Sequence, residues 1–212
     1  MRARWPRQLT AIAAPTATAV VLLSILAVTA PPPSAAITSA GQQQTALPGD
    51  DPRLAGTFTV AAVHSGKCIQ PWPGKETLEG EWLVQMPCNG SAAQRHLIRP
   101  LGNNRYQLVT ESGYCWNVKG GIVHLYNPIL QWRCGPYSND QFVFNPVEPD
   151  GFEILTRDGV QHVCNEMYCG LMRIGLHVFG AGTEDRTRLV LDERYGPEQQ
   201  STNNLFRFTR VS

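Results

Sequence analysis

Within its 212 residues the chain repeats one pattern three times, and this constrains the fold more than any other feature. Thr57-Phe58-Thr59-Val60 is followed by Ser65-Gly66-Lys67-Cys68. Tyr106-Gln107-Leu108-Val109 is followed by Ser112-Gly113-Tyr114-Cys115, and Phe152-Glu153-Ile154-Leu155 by Val160 to Cys164. Each segment alternates apolar residues, passes through a Gly-bearing turn and enters a second short strand carrying a Cys, which is a β-hairpin pattern. Cys68 to Cys115 spans 47 residues and Cys115 to Cys164 spans 49. A unit of that length cannot bury its own apolar face. Three units around an axis can share one core.

Two further matches sharpen the repeat. Gln85-Met86-Pro87-Cys88 corresponds to Gln131-Trp132-Arg133-Cys134, so Cys68–Cys88 and Cys115–Cys134 close loops of nearly equal size. Counting on from the second Cys, Ala93-Gln94-Arg95-His96 corresponds to Asn139-Asp140-Gln141-Phe142, and Asn203-Asn204-Leu205-Phe206 takes the same slot near the C-terminus. The units fall at about 54–104, 105–150 and 151–212. Nineteen Gly, sixteen Pro and only 17% charged residues suit short strands joined by turns, an all-β chain.

The N-terminus reads as a targeting segment. Arg2, Arg4 and Arg7 precede the apolar run Ala17 to Ala30, and Ser34-Ala35-Ala36 offers small residues for cleavage. The run is too short for a bilayer span and ends at Pro31-Pro32-Pro33, so residues 1–36 are expected to be a signal peptide of a secreted protein. Residues 37–53 lack periodicity and read as a flexible linker before a folded domain at 54–212. Removing residues 1–36 takes the formal charge from +1 to −2, which gives no reason to expect nucleic acid as a partner. All six cysteines lie beyond residue 36, and an even count in an exported chain favours disulfides. Zinc is disfavoured by the lack of a CxxC pair, and no other cofactor signature is present.

Ser65-Gly66-Lys67-Cys68, Gln131-Trp132-Arg133-Cys134 and Asn139-Asp140-Gln141-Phe142 together resemble the ricin-type lectin family, whose units carry Ser-Gly-Lys-Cys, Gln-Trp-x-Cys and Asn-Gln-x-Trp in that order. The resemblance covers about residues 54–212. It implies a β-trefoil with pseudo-three-fold symmetry and non-catalytic binding of a glycan or polysaccharide. An aromatic ring offers the C–H face of a pyranose a flat apolar surface, while Asn, Asp and Gln supply both ends of hydrogen bonds to its hydroxyls.

The resemblance places a first polar ligand two residues after the first Cys, an aromatic shortly before the second, and a second polar ligand at the Asn near the unit's end. In unit two these are Asn117, Trp132 and Asn139, with Gln141 beside them; Asn117 stands where an Asp is usual. Unit one offers Gln70, Met86 and Ala93, without a flat ring or an Asn, and is expected to be inactive. Unit three offers Glu166 and Asn203, with Tyr195 as a candidate ring. Cys164 and Cys169 depart from the family; a short bridge between them is the simplest pairing, a free or intermolecular thiol the alternative.

Catalytic constellations are not evident. The sequence has no Gly-x-Ser-x-Gly, no His-Glu-x-x-His and no phosphate loop, so an enzyme is not expected. A main sugar site in the second repeat is the favoured reading, with a neutral glycan as its ligand. The alternative is a degenerate trefoil serving as a protein-interaction or toxin-accessory subunit, for which the decay of unit one and the absence of Asp from the ligand slots speak. Retention of Trp132 with Asn139 speaks for the lectin.

Overall fold

The computed structural model describes residues 50–147, 149, 151–164, 169–194 and 202–211, with the backbone alone for 158–164, 169–172 and 194. Among the described residues twelve strands alternate with short 3₁₀ turns: β1 (Gly56–Ala62), β2 (Cys68–Pro71), β3 (Leu83–Met86), β4 (Arg95–Gly102), β5 (Arg105–Thr110), β6 (Cys115–Val118), β7 (Ile129–Trp132), β8 (Phe142–Val147), β9 (Gly151–Cys164), β10 (Cys169–Val178), β11 (Leu189–Arg194) and β12 (Leu205–Arg210).

Six of them close a barrel. β1 pairs with β4, β4 with β5, β5 with β8, β8 with β9, β9 with β12, and β12 returns to β1. Closure leaves those strands without open edges. The hairpins β2–β3, β6–β7 and β10–β11 meet one another through the bridges Trp82↔Leu130, Pro128↔Val190 and Arg188↔Val84. Each bridge joins the residue just before β3, β7 or β11 to the second residue of the corresponding strand in the next unit, so the three contacts form a cycle. This is a β-trefoil.

The core repeats with the same period. Val60, Leu108 and Ile154 from β1, β5 and β9 are fully buried, as are Ile69, Trp116 and Leu176, and Leu83, Ile129 and Leu189. These residues belong to one continuous core to which all three units contribute. Burial of each aliphatic side chain contributes about 1.5–3 kcal/mol. His96, Phe142 and Phe206 form another buried triplet, in which one unit substitutes an imidazole for a phenyl ring. Trp116 Nε1–H donates to His96 Nδ1 at 3.1 Å, so Nε2 carries the ring proton and donates it to the Ile69 carbonyl at 2.9 Å.

Disulfides Cys68–Cys88 and Cys115–Cys134 close loops of 20 and 19 residues' separation, with Cα–Cα distances of 4.9 Å in both. They stand at equivalent places in units one and two.

Unit three requires a correction of register. Cys68 pairs with Ala61 and Cys115 with Val109, but the residue that pairs with the equivalent Leu155 is Gly175, not Cys164. Asp158-Gly159 resembles the turn of the other units, yet β9 runs through it to Cys164 and β10 returns from Cys169, making a hairpin arm far longer than its counterparts. Cys164 and Cys169 are register partners at the far end of that arm. The Cys164–Cys169 bridge itself lies outside the described residues.

The N-terminal boundary also moves. Residues 50–53, assigned to the linker, are tied to the trefoil: the Asp50 carboxylate accepts the N–H of Gly102 and of Asn104, both at 2.9 Å, and Asp51 N–H donates to the Tyr106 hydroxyl at 2.7 Å. Asn103 and Asn104 both adopt left-handed backbone in the β4–β5 turn, and Asp50 satisfies the donors this turn exposes. The signal peptide and the rest of the linker lie outside the described residues. Among the described residues no helix is long and apolar enough to cross a membrane.

Candidate functional site

In unit two, strand β6, the Lys119–Gly121 turn that follows it, the end of β7 and the Ser138–Asp140 turn enclose a cleft of about 740 Å³. Its lining includes Asn117, Lys119, Gly121, Trp132, Tyr137 and Asn139. Three of the expected residues therefore share one surface. Asn139 Nδ2–H donates to Asn117 Oδ1 at 2.8 Å, which fixes both amides. Asn117 is almost fully buried on the floor, and its amide nitrogen makes no hydrogen bond among the described residues. That leaves a donor on the cleft side for a ligand oxygen.

Trp132, at the end of β7, is 45% exposed, an unusual state for the largest apolar side chain. Its ring rests on Gly80 of unit one: a Cβ there would lie 3.2 Å from Trp132 Cζ3. The hairpin is anchored to that loop by Gly80 N–H to the Gln131 carbonyl at 2.8 Å, and by Gln131 Nε2–H to the carbonyls of Glu76 and Leu78. Arg133 pairs with Glu79 at 2.8 Å beside it. On the opposite wall Tyr137 is 64% exposed and lies on Gly135, where a Cβ would meet the ring at 2.5 Å. Tyr137, Lys119 and Gly80 were not legible as site residues. Tyr137 belongs to none of the repeated motifs, and Gly80 acts from another unit.

Gln141 is not part of this surface. Its carbonyl accepts the Arg157 N–H at 3.0 Å and its Oε1 faces the Arg157 guanidinium, so it joins β8 to β9 instead. The neighbouring Asp140 is a brace. Its Oδ2 accepts the Gly135 N–H at 2.8 Å, as Gln94 Oε1 accepts the Asn89 N–H at 2.9 Å in unit one. Burial pushes the Asp140 carboxyl above its ordinary value.

The equivalent cleft of unit one, about 480 Å³, is lined by Gln70, Met86, Ala93, Glu76 and Asp185 among others, with no aromatic ring. Gln70 Oε1 is occupied by Gln94 Nε2–H at 2.9 Å. In unit three the corrected register equates His177 with Asn117, and Asp192 with Trp132, since His177 pairs with Val190 as Asn117 pairs with Leu130. Asn203 keeps the place of Asn139: both donate to the carbonyl closing the preceding strand, Val178 at 3.0 Å and Val118 at 3.4 Å. His177 and Asp192 therefore stand where Asn117 and Trp132 stand in unit two, because the long arm shifts the register of the chain. Glu166 and Tyr195 lie outside the described residues. Burial lowers the His177 pKa to about 4, against the opposing pull of Asp192 and of its bond to Asn203. Among the described residues no cluster of three or more His, Cys, Asp or Glu could hold a metal ion.

These geometries agree with what the chain is similar to. Residues 40–132 match the family described as ricin-type beta-trefoil lectin domain-like. Among solved structures, the designed three-fold symmetric protein ThreeFoil aligns at a TM-score of 0.62 and 21% identity, covering 74% of this chain and 99% of that one. The Rhizoctonia solani agglutinin aligns at 0.57 and 16% identity, covering 74% and 96%. The Macrolepiota procera ricin B-like lectin, in complex with lactose, aligns at 0.56 and 14% identity, covering 74% and 97%. The search of curated proteins returned no match. The likeness to these structures is one of fold, a β-trefoil, and residues 40–132 are similar to the ricin-type family.

Proposed function

We propose that the chain is a secreted, non-catalytic lectin whose main glycan site is the unit-two cleft. The observation that carries this reading is the exposed Trp132 ring facing the same cleft as the bonded Asn117–Asn139 pair. A ring is kept out of the core there, although Met86 in unit one shows that the fold does not need one. The pyranose C–H face stacks on Trp132, and the two amides meet vicinal hydroxyls. The family of the domain and the lactose complex of the Macrolepiota procera lectin support the class of ligand. The basic and apolar N-terminus supports export.

A glycan array probed with the wild type and with Trp132→Ala tests this. Bound glycans should lose about ten-fold or more in affinity in the variant while its circular dichroism stays unchanged. Binding that is equal in both proteins, or absent from a broad array, would favour the protein-interaction reading.

A further inference from the structure

Among the described residues Lys119 is the one charged residue that lines the unit-two cleft; the other lining residues are Gly80, Asn117, Gly120, Gly121, Leu130, Trp132, Tyr137 and Asn139. Among the described residues its ammonium has no ion-pair partner. The nearby acid Glu79 is engaged by Arg133. The backbone fixes where Lys119 stands, since its N–H donates to the Pro128 carbonyl at 3.1 Å, directly after β6.

The repeat makes this cation informative. The same position is Trp72 in unit one and Phe179 in unit three, each donating its N–H to the equivalent carbonyl, of Trp82 and Arg188. Those rings have partners: the Arg186 guanidinium lies 5.8 Å from the Trp72 ring and that of Arg188 lies 5.7 Å from Phe179. Only unit two puts a cation in the slot, and only unit two pairs it with neutral amides where the family carries an Asp. A ligand lying across Trp132 removes water from the cleft. An ammonium desolvated in that way is costly unless it meets an anion.

We infer that the ligand of this cleft is a saccharide bearing a carboxylate, a uronic or sialic acid residue, whose anion pairs with Lys119 while the sugar ring lies on Trp132. This revises the expectation of a neutral glycan and rests on the lectin reading above. It assigns Lys119 as a specificity-determining residue.

Matched probes test it by titration: oligogalacturonate against its methyl ester, and sialyllactose against lactose. The two pairs distinguish a uronate from a sialate. The wild type should bind one acidic member about ten-fold more tightly than its neutral partner, and the preference should shrink between low and high salt. Lys119→Gln should lose far more affinity for the acidic member than for its neutral partner and so abolish the preference, while Lys119→Arg should keep it. Equal affinity within both pairs, or a Lys119→Gln variant that loses neutral and acidic ligands alike, overturns the inference and leaves the lectin reading standing. No binding to any probe or to a broad array overturns both.

Discussion

Acid should destabilise this trefoil through His96 before its carboxylates protonate. The ring is fully buried, and desolvation lowers its pKa from 6.5 to about 4 despite the bond to the Ile69 carbonyl. Because the folded value lies below the unfolded one, the unfolded chain takes up the proton first. The stabilisation is therefore complete above pH 6.5 and drains away as pH falls towards 4. At pH 4.5 the loss from this one group is about 2–3 kcal/mol, from 1.36 kcal/mol per pKa unit. That is a large part of the 5–15 kcal/mol typical of a folded domain. His96→Phe isolates the effect, because Phe142 and Phe206 show that the phenyl shape fits the slot. The variant orphans the Trp116 indole N–H and the Ile69 carbonyl, so at pH 7 it should be less stable than wild type by about 1–3 kcal/mol. Urea denaturation followed by tryptophan fluorescence, repeated from pH 7 to 4.5, should show that gap closing as pH falls. His177, displaced in the same direction, remains in both proteins and cancels from the comparison. Parallel loss of stability in wild type and His96→Phe would refute the reasoning.

Two further outcomes follow from the packing around the cleft. Gly80→Ala places a Cβ against Trp132 at a φ of +86°, so it should cost about 1 kcal/mol in urea denaturation and weaken glycan affinity by titration, although it lies in unit one. Replacing Cys115 and Cys134 together by Ser should cost about 3 kcal/mol, the chain-entropy value for a loop of that size, measured as a lower urea midpoint under non-reducing conditions.

The repeat was legible because its signals are local. Ser-Gly turns, alternating strands and cysteines at matching intervals in units one and two gave the hairpins and the two disulfide pairs. Unit three misled for an equally local reason. Asp158-Gly159 reads as a hairpin turn, but ladder pairing continues beyond it to Cys164, and only the register reveals Gly175 as the third counterpart of Cys68 and Cys115. In the site, Asn117, Trp132 and Asn139 carried motif signals. Tyr137 and Lys119 did not, and Gln141 carried one that belongs to the strand frame.

Gly80 explains why site residues in such a fold are hard to read unit by unit. Its equivalents are Tyr126 and Arg186: all three have left-handed backbone and donate an N–H to the next hairpin, to Gln131, Leu191 and Gln85 respectively. The residue at this position lies beside the ring slot of the neighbouring unit, not of its own. Glycine in unit one leaves room for Trp132 in unit two. Arg186, in unit three, borders the slot of Met86, and Tyr126, in unit two, that of Asp192. Loss of an aromatic platform and gain of a side chain at the left-handed position are thus coupled across the unit boundary. Restoring a ring at position 86 needs Arg186→Gly as well as Met86→Trp, with Ala93→Asn for the missing amide. The unit-two cleft draws Gly80 from unit one and the unit-one cleft draws Asp185 from unit three, so the copies diverge as interfaces, not as independent repeats.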